Sequence, residues 1–146
     1  MGLPHVLEQV RKRPSMYFHP VEFDVASAFL EGFNLASYVG ALVGFREWLV
    51  MRLGYANNLA WPALLLRLVF PDVESPRQFL VQNGKQKRAV ESLFGLLEEF
   101  WQEWQSDGGL RRIYVKYQEW LRQQDWYGPS SPDWIPVKGS SPDTLT

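Results

Sequence analysis

The strongest folding signal in this chain is the amphipathic pattern of residues 86–106. Apolar side chains recur there at helical spacing and line one side, whereas three glutamates gather towards the other side. The apolar positions are Phe94, Leu97, Trp101 and Trp104. Other segments share this period, and none alternates apolar and polar residues over five positions. The pattern predicts an all-α fold, a single compact domain of about six to seven helices.

Prolines, glycines and capping residues divide the chain into the predicted helices. Pro14 predicts the end of the first helix, because proline disfavours helical geometry in the residue before it. Asp24 is the predicted N-cap of the second helix, and Gly54 is the predicted C-cap of the third. Ser75 followed by Pro76 predicts the start of another short helix.

The C-terminal residues 127–146 differ in composition from the helical domain predicted over residues 1–126. They contain four prolines and four serines, which predicts an irregular tail. Trp126, Tyr127 and Trp134 are costly to expose to water. We therefore expect the segment to about residue 136 to lie back on the helices, and the last residues to be mobile.

The charge and hydropathy of the chain argue against two classes of partner. Fifteen Lys and Arg against sixteen Asp and Glu give a formal charge of −1, so no global field attracts nucleic acid. The most apolar run, residues 59–70, is too short to cross a bilayer and contains Arg67. We expect neither nucleic-acid nor membrane binding, and the sequence leaves the oligomeric state open.

The residues that usually carry catalysis are scarce or poorly spaced. The chain has no cysteine, which excludes thiol catalysis and cysteine-ligated zinc and suits the reducing cytoplasm. Its two histidines, His5 and His19, lack the spacing of a metal or hydrolytic site. We therefore expect no enzyme activity, no metal and no cofactor, and a cytoplasmic location.

Two groups of residues are candidates for binding a protein partner. Acidic side chains within three turns of helix would steer a basic partner, and the tail aromatics would anchor it. The candidates are Glu98, Glu99, Glu103 and Asp107, with Trp126, Tyr127 and Trp134. The alternatives stay open: the acids are a solvated face or an acid–base pair, and the aromatics cover the core.

The stretch VRKRPSMYFHP, residues 10–20, closely resembles the RKRPGMYIG segment of the DNA gyrase B ATPase domain. In that family a following helix carries an essential glutamate and a magnesium-binding asparagine. Glu31 and Asn34 lie at about that distance here, but they are three residues apart where the family has four. No Asp-x-Gly-x-Gly and no glycine-rich lid follow. A nucleotide-binding enzyme is therefore the minor alternative.

A second resemblance covers about two-thirds of the chain and concerns a family of small bacterial proteins. The similar segments are RPSMYFHP (13–20), AFLEGFNLA (28–36), FREWLVMRLGYANNLAWPALL (45–65) and SLFGLLEEFWQEW (92–104). Many genes of that family lie beside polymorphic toxins, including Rhs-type effectors, and their products resemble immunity proteins. The resemblance implies an immunity protein that binds a cognate toxin domain and occludes its active site or substrate surface. A regulatory adaptor for another protein is the alternative.

The RPxMY motif itself is predicted to be a structural corner between the first two helices. Its residues are Arg13, Pro14, Met16 and Tyr17. We expect the apolar side chains after the proline to pin the turn into the core, and the preceding basic residues to interact with a helix C-terminus. Ser15 and His19 replace the glycines usual in the family, so the corner must turn without a residue suited to positive φ.

Overall fold

The computed structural model describes residues 4–37, 40–132 and 134–135, and this part of the chain forms seven α-helices and no strand. The helices are α1 (His5–Lys12), α2 (Phe23–Ala36), α3 (Phe45–Leu53), α4 (Trp61–Val69), α5 (Pro76–Gln82), α6 (Gln86–Gln105) and α7 (Gly109–Arg122). A short 3₁₀ helix, Pro14–Met16, lies between α1 and α2. The predicted all-α fold is confirmed.

Prolines and glycines set several of the helix ends. Pro62 and Pro76 lie in the first turns of α4 and α5, where the missing N–H costs no helical hydrogen bond. Gly54 follows α3 with φ of 82°, a left-handed conformation that ends the helix. These features agree with the sequence pattern.

The predicted N-cap of α2 at Asp24 is wrong. The helix begins two residues earlier than that cap implies, at Phe23, and the extended Glu22 takes the cap position. The Phe23 N–H is instead satisfied by the side-chain oxygen of Gln86, at 2.9 Å. Gln86 is distant in sequence, so rules for local capping do not detect it.

One hydrophobic core joins the seven helices, and α6 lies at its centre. This helix packs against α2, α3, α4, α5 and α7. The predicted apolar side of α6 is confirmed, since Phe94, Leu97 and Trp101 are buried and Trp104 is half-buried. Each fully buried side chain of this size contributes about 1.5–3 kcal/mol to folding. The largest fully buried side chains are Phe23, Phe45, Phe94 and Phe100.

The RPxMY corner is built differently from the prediction. Phe18 is buried and its ring lies 5.5 Å from that of Phe29, but Met16 is 69% exposed and Tyr17 is 44% exposed. Consecutive side chains of a 3₁₀ helix lie about 120° apart, so neighbouring residues cannot all face the core. Phe18 therefore pins the turn, the edge of the half-exposed Tyr17 ring adds a contact with Phe29 at 6.5 Å, and Met16 does not face the core. Ala56 is the non-glycine residue of positive φ among the described residues, so the corner turns without one.

The first part of the C-terminal tail contacts the helices through Tyr127. Tyr127 packs against the core, and the Ile135 N–H donates to the Tyr127 hydroxyl oxygen at 3.2 Å. The Gly128 N–H donates to the Ser131 side chain at 3.0 Å, which closes a turn between them. Residues 136–146 of the predicted tail lie outside the described part of the chain.

Candidate functional site

The acidic candidates do not form one continuous negative surface. Glu98 forms a salt bridge with Arg11 of α1, whereas Glu99 forms one with Arg52 of α3 at 2.6 Å. Adjacent helical residues point about 100° apart, so the two carboxylates face different neighbouring helices. Each is matched by a cation of the same chain, which reduces the field available to a partner.

Glu103 is half-buried and links three helices. Its carboxylate accepts a hydrogen bond from the Trp48 indole N–H at 2.8 Å and lies 3.8 Å from the Lys116 ammonium. The Arg52 guanidinium lies 4.4 Å from the centre of the Trp48 ring. The carboxylate therefore positions α3 and α7 against α6, in addition to any contact with a partner.

Asp107, the fourth acidic candidate, lies in the turn between α6 and α7 and is exposed. The Arg112 guanidinium donates to its backbone carbonyl and also to the Ser106 hydroxyl. These bonds hold the turn in shape. Asp107 and Glu99 are the exposed members of the acidic group, whereas Glu98 and Glu103 are half-buried.

The three tail aromatics are brought together with Trp120 of α7, and we name this group the aromatic patch. The rings of Trp120 and Trp126 lie 6.4 Å apart, those of Trp126 and Tyr127 lie 6.3 Å apart, and those of Tyr127 and Trp134 lie 5.2 Å apart. Trp126 is 54% exposed, and the other three are half-buried. The patch therefore joins the core on one side and presents an indole to solvent on the other.

Polar residues border the exposed indole. A pocket of about 430 Å³ is lined by Trp126 together with Asn57, Asn58, Ser131 and Pro132. An exposed aromatic side chain inside a polar border is the usual composition of an interface anchor and its rim. The asparagines come from the connection between α3 and α4, so sequence spacing alone does not place them beside the tail.

The gyrase-like pair has structural roles in this fold. The Glu31 carboxylate accepts a hydrogen bond from the Trp61 indole, and the Asn34 side-chain oxygen accepts one from the Leu42 N–H at 2.8 Å. A catalytic base and a magnesium ligand would need the same oxygens, which are already engaged in hydrogen bonds within the fold. Across the described ranges, no group of three or more His, Cys, Asp or Glu side chains converges to hold a metal ion.

Tyr114 of α7 has a phenol whose acidity is altered by its surroundings. Burial, and to a smaller extent the carboxylate of Glu47, raises the pKa of this phenol above its ordinary value of 10.0. The phenol is therefore protonated at neutral pH. Because ionisation is easier in the unfolded chain, this group favours the unfolded state as the pH rises above 10.

Comparisons of the chain with protein-family models, with curated proteins and with solved structures found no match. Among the helices of the described residues, none is long and apolar enough to cross a membrane.

Proposed function

We propose that this chain is an immunity protein that binds a cognate toxin domain and blocks the toxin's active site or substrate surface. The family resemblance of four segments, spread over about two-thirds of the chain, supports this role. No chemistry by the chain itself is needed, since occlusion requires only a stable interface. Such an interface buries on the order of 800 Å² on each partner.

The aromatic patch is the observation that carries this proposal. Trp126 keeps more than half of its surface exposed although it touches both Trp120 and Tyr127. An indole in this setting gains a large apolar contact when a partner covers it, and it loses little side-chain entropy because its neighbours already restrict it. Trp126 is therefore the proposed anchor, with Tyr127 and Trp134 supporting it.

The acidic candidates contribute less to the proposed interface. Glu98 and Glu103 are half-buried and engaged within the fold, whereas Glu99 stays exposed despite its salt bridge with Arg52 and Asp107 is exposed. The proposed rim therefore consists of Asp107 and Glu99 together with the asparagines of the pocket. Rim charges act mainly on the rate and specificity of association.

Co-expression with the toxin domain encoded beside this gene tests the proposal. Survival of the cells together with co-purification of a stoichiometric complex is the expected result. Survival without a complex would point instead to an enzyme that reverses the toxin's modification. Death of the cells with the toxin active would favour an adaptor for a different protein.

A further inference from the structure

A pocket of about 710 Å³ lies where the RPxMY corner meets α6. The floor is apolar, formed by Val21 of the corner and by Val90 and Phe94 of α6, with Pro14 beside them. Pockets of this volume with an apolar lining and a few polar groups are typical of binding sites. The proposed interface at the aromatic patch shares none of these lining residues.

The border of this pocket is cationic. Arg11, Lys12 and Lys87 line it, whereas Glu91 is the single carboxylate among its lining residues. Arg11 is neutralised by Glu98, and the Lys87–Glu91 pair is 4.0 Å long and largely exposed, so it is weak. Lys12 forms no salt bridge with any carboxylate of the described residues. A positive charge therefore remains at the border beside an apolar floor.

Two apolar side chains of the corner are exposed close in sequence to Pro14, which lines the pocket. Met16 and Tyr17 follow Pro14 within three residues and are 69% and 44% exposed. Met and Tyr are enriched in protein interfaces relative to the rest of the surface. The cationic side chains come from two different helices, α1 and α6, so they border the apolar surface on two sides.

We propose that this pocket and the exposed corner bind an acidic peptide segment of a protein partner, with one apolar side chain of the segment inserted into the pocket. The border favours carboxylates on both sides of that side chain, and Met16 and Tyr17 extend the contact beyond the pocket. A small anion would fill only the pocket and leave the corner exposed. The proposal goes beyond the proposed function, since it does not require the partner to be the toxin.

A random library of displayed 12-residue peptides, selected against the full-length chain, tests this site without knowledge of the partner. We expect enrichment of peptides with a net negative charge and at least one large apolar residue. Selected peptides are then measured by fluorescence anisotropy against the double variant Lys12→Glu, Lys87→Glu. We expect at least a tenfold loss of affinity, because both border charges are reversed.

A matched control is the double variant Arg111→Glu, Arg122→Glu, which makes the same charge change on α7. Arg122 lies in the last turn of α7 as Lys12 does in α1, so the two variants disturb helix ends alike. Thermal unfolding of both variants confirms that they are folded. Equal affinity of the control and the wild type, with loss in the Lys12 and Lys87 variant, supports the site.

Four results would overturn the proposal. They are failure to enrich any peptide, enrichment of neutral or basic peptides, unchanged binding to the Lys12 and Lys87 variant, and unchanged binding after Ser replaces the apolar residue of the peptide. A fifth concerns the ligand class. If sodium decanoate perturbs the methyl NMR signals of Val21 and Val90 but the peptides do not, the pocket binds small anionic amphiphiles instead.

Discussion

Asn34, Glu31 and Glu103 each use a side-chain oxygen to satisfy an N–H donor on another part of the fold. Asn34 serves the backbone after α2, and the two glutamates serve the indoles of Trp61 and Trp48. A partly buried donor that loses its acceptor costs more free energy than the hydrogen bond contributes on average. At the residue scale, substitutions of these side chains therefore test the stability of the fold rather than the proposed interface.

Asn34→Ala removes the acceptor of the Leu42 N–H. We expect the free energy of unfolding to fall by about 1–2 kcal/mol, because the amide is left without its partner. Urea denaturation measures the change. Asn34→Asp is the control, since it keeps an oxygen at the same position and should retain most of the stability. Equal stability of the Ala variant and the wild type would contradict this role.

Charge reversal should affect stability differently at the half-buried Glu103 and at the exposed Glu99. Glu103→Lys leaves the nearly buried Trp48 indole N–H without its acceptor and places a cation beside Lys116, so we expect a loss of about 1–3 kcal/mol. Glu99→Lys removes an exposed salt bridge and should change stability by less than about 1 kcal/mol. Chemical denaturation of both variants checks the difference, and equal losses would show that Glu103 has no special structural role.

The same comparison decides how the acidic rim can be tested. A fall in toxin affinity for Glu103→Lys would reflect altered packing as well as altered charge. Glu99→Lys and Asp107→Lys are the informative variants, because both side chains are exposed. If affinity for the toxin stays within twofold at low salt, the acidic rim is not part of the interface.

The connection between α6 and α7 brings backbone atoms of the two helices close together at Gly109. Gly108 has φ of 64°, a left-handed conformation that favours glycine. A Cβ on Gly109 would lie 1.9 Å from the carbonyl oxygen of Glu103 and 2.7 Å from that of Trp104. Both contacts are with backbone atoms, so a side-chain rotation cannot relieve them.

Gly109→Ala should therefore destabilise the fold by more than about 2 kcal/mol, since the two helices must separate to admit the methyl group. Gly95→Ala, in the middle of α6, is the matched control. No atom lies within 4 Å of its added Cβ, and alanine favours helix over glycine by about 1 kcal/mol. Thermal and urea unfolding should shift in opposite directions for the two variants. A Gly109→Ala variant as stable as the wild type would contradict this close approach of α6 to α7.

The elements that could be predicted from sequence are those whose signal is local. The period of α6 and the Ser75–Pro76 start of α5 depend on neighbouring residues, and both predictions are confirmed. The start of α2 could not be predicted, because its first N–H is satisfied by Gln86 from another helix. The predicted burial of Met16 is wrong for a related reason, since hydrophobicity does not specify which side of a short 3₁₀ turn faces the core.

The site residues divide in the same way. Sequence composition identifies Trp126, Tyr127 and Trp134 as candidates, and the structure brings them together. The sequence could not identify Asn57 and Asn58 beside them, because the α3–α4 connection approaches the tail only through tertiary packing. Nor could the sequence show that Glu103, unlike Glu99, has a structural role, because that role depends on the indole N–H of Trp48 in another helix.

On the scale of the whole molecule, a single core supports two separate surfaces, the aromatic patch and the cationic pocket at the corner. The first is proposed to bind the toxin, and its exposed member, Trp126, lies outside the buried core. A substitution there should affect binding without unfolding the protein. Variants of Trp126 therefore test the proposed function without changing the stability of the domain.

Trp126→Ala should weaken toxin binding by about 2 kcal/mol or more, as expected for a tryptophan at the centre of an interface. Val81→Ala is the control, because Val81 is a similarly exposed apolar residue on α5, outside the patch. Surface plasmon resonance with the immobilised toxin domain measures both. Equal affinity of Trp126→Ala and Val81→Ala would exclude the patch as the anchor.

Titration calorimetry of the purified chain against the proposed cognate toxin domain tests the central claim most directly. The account predicts a saturable, stoichiometric complex whose formation abolishes the activity of the toxin in the same sample. If the purified chain does not bind the active, folded toxin, although it protects cells that express this toxin, neutralisation by occlusion is contradicted.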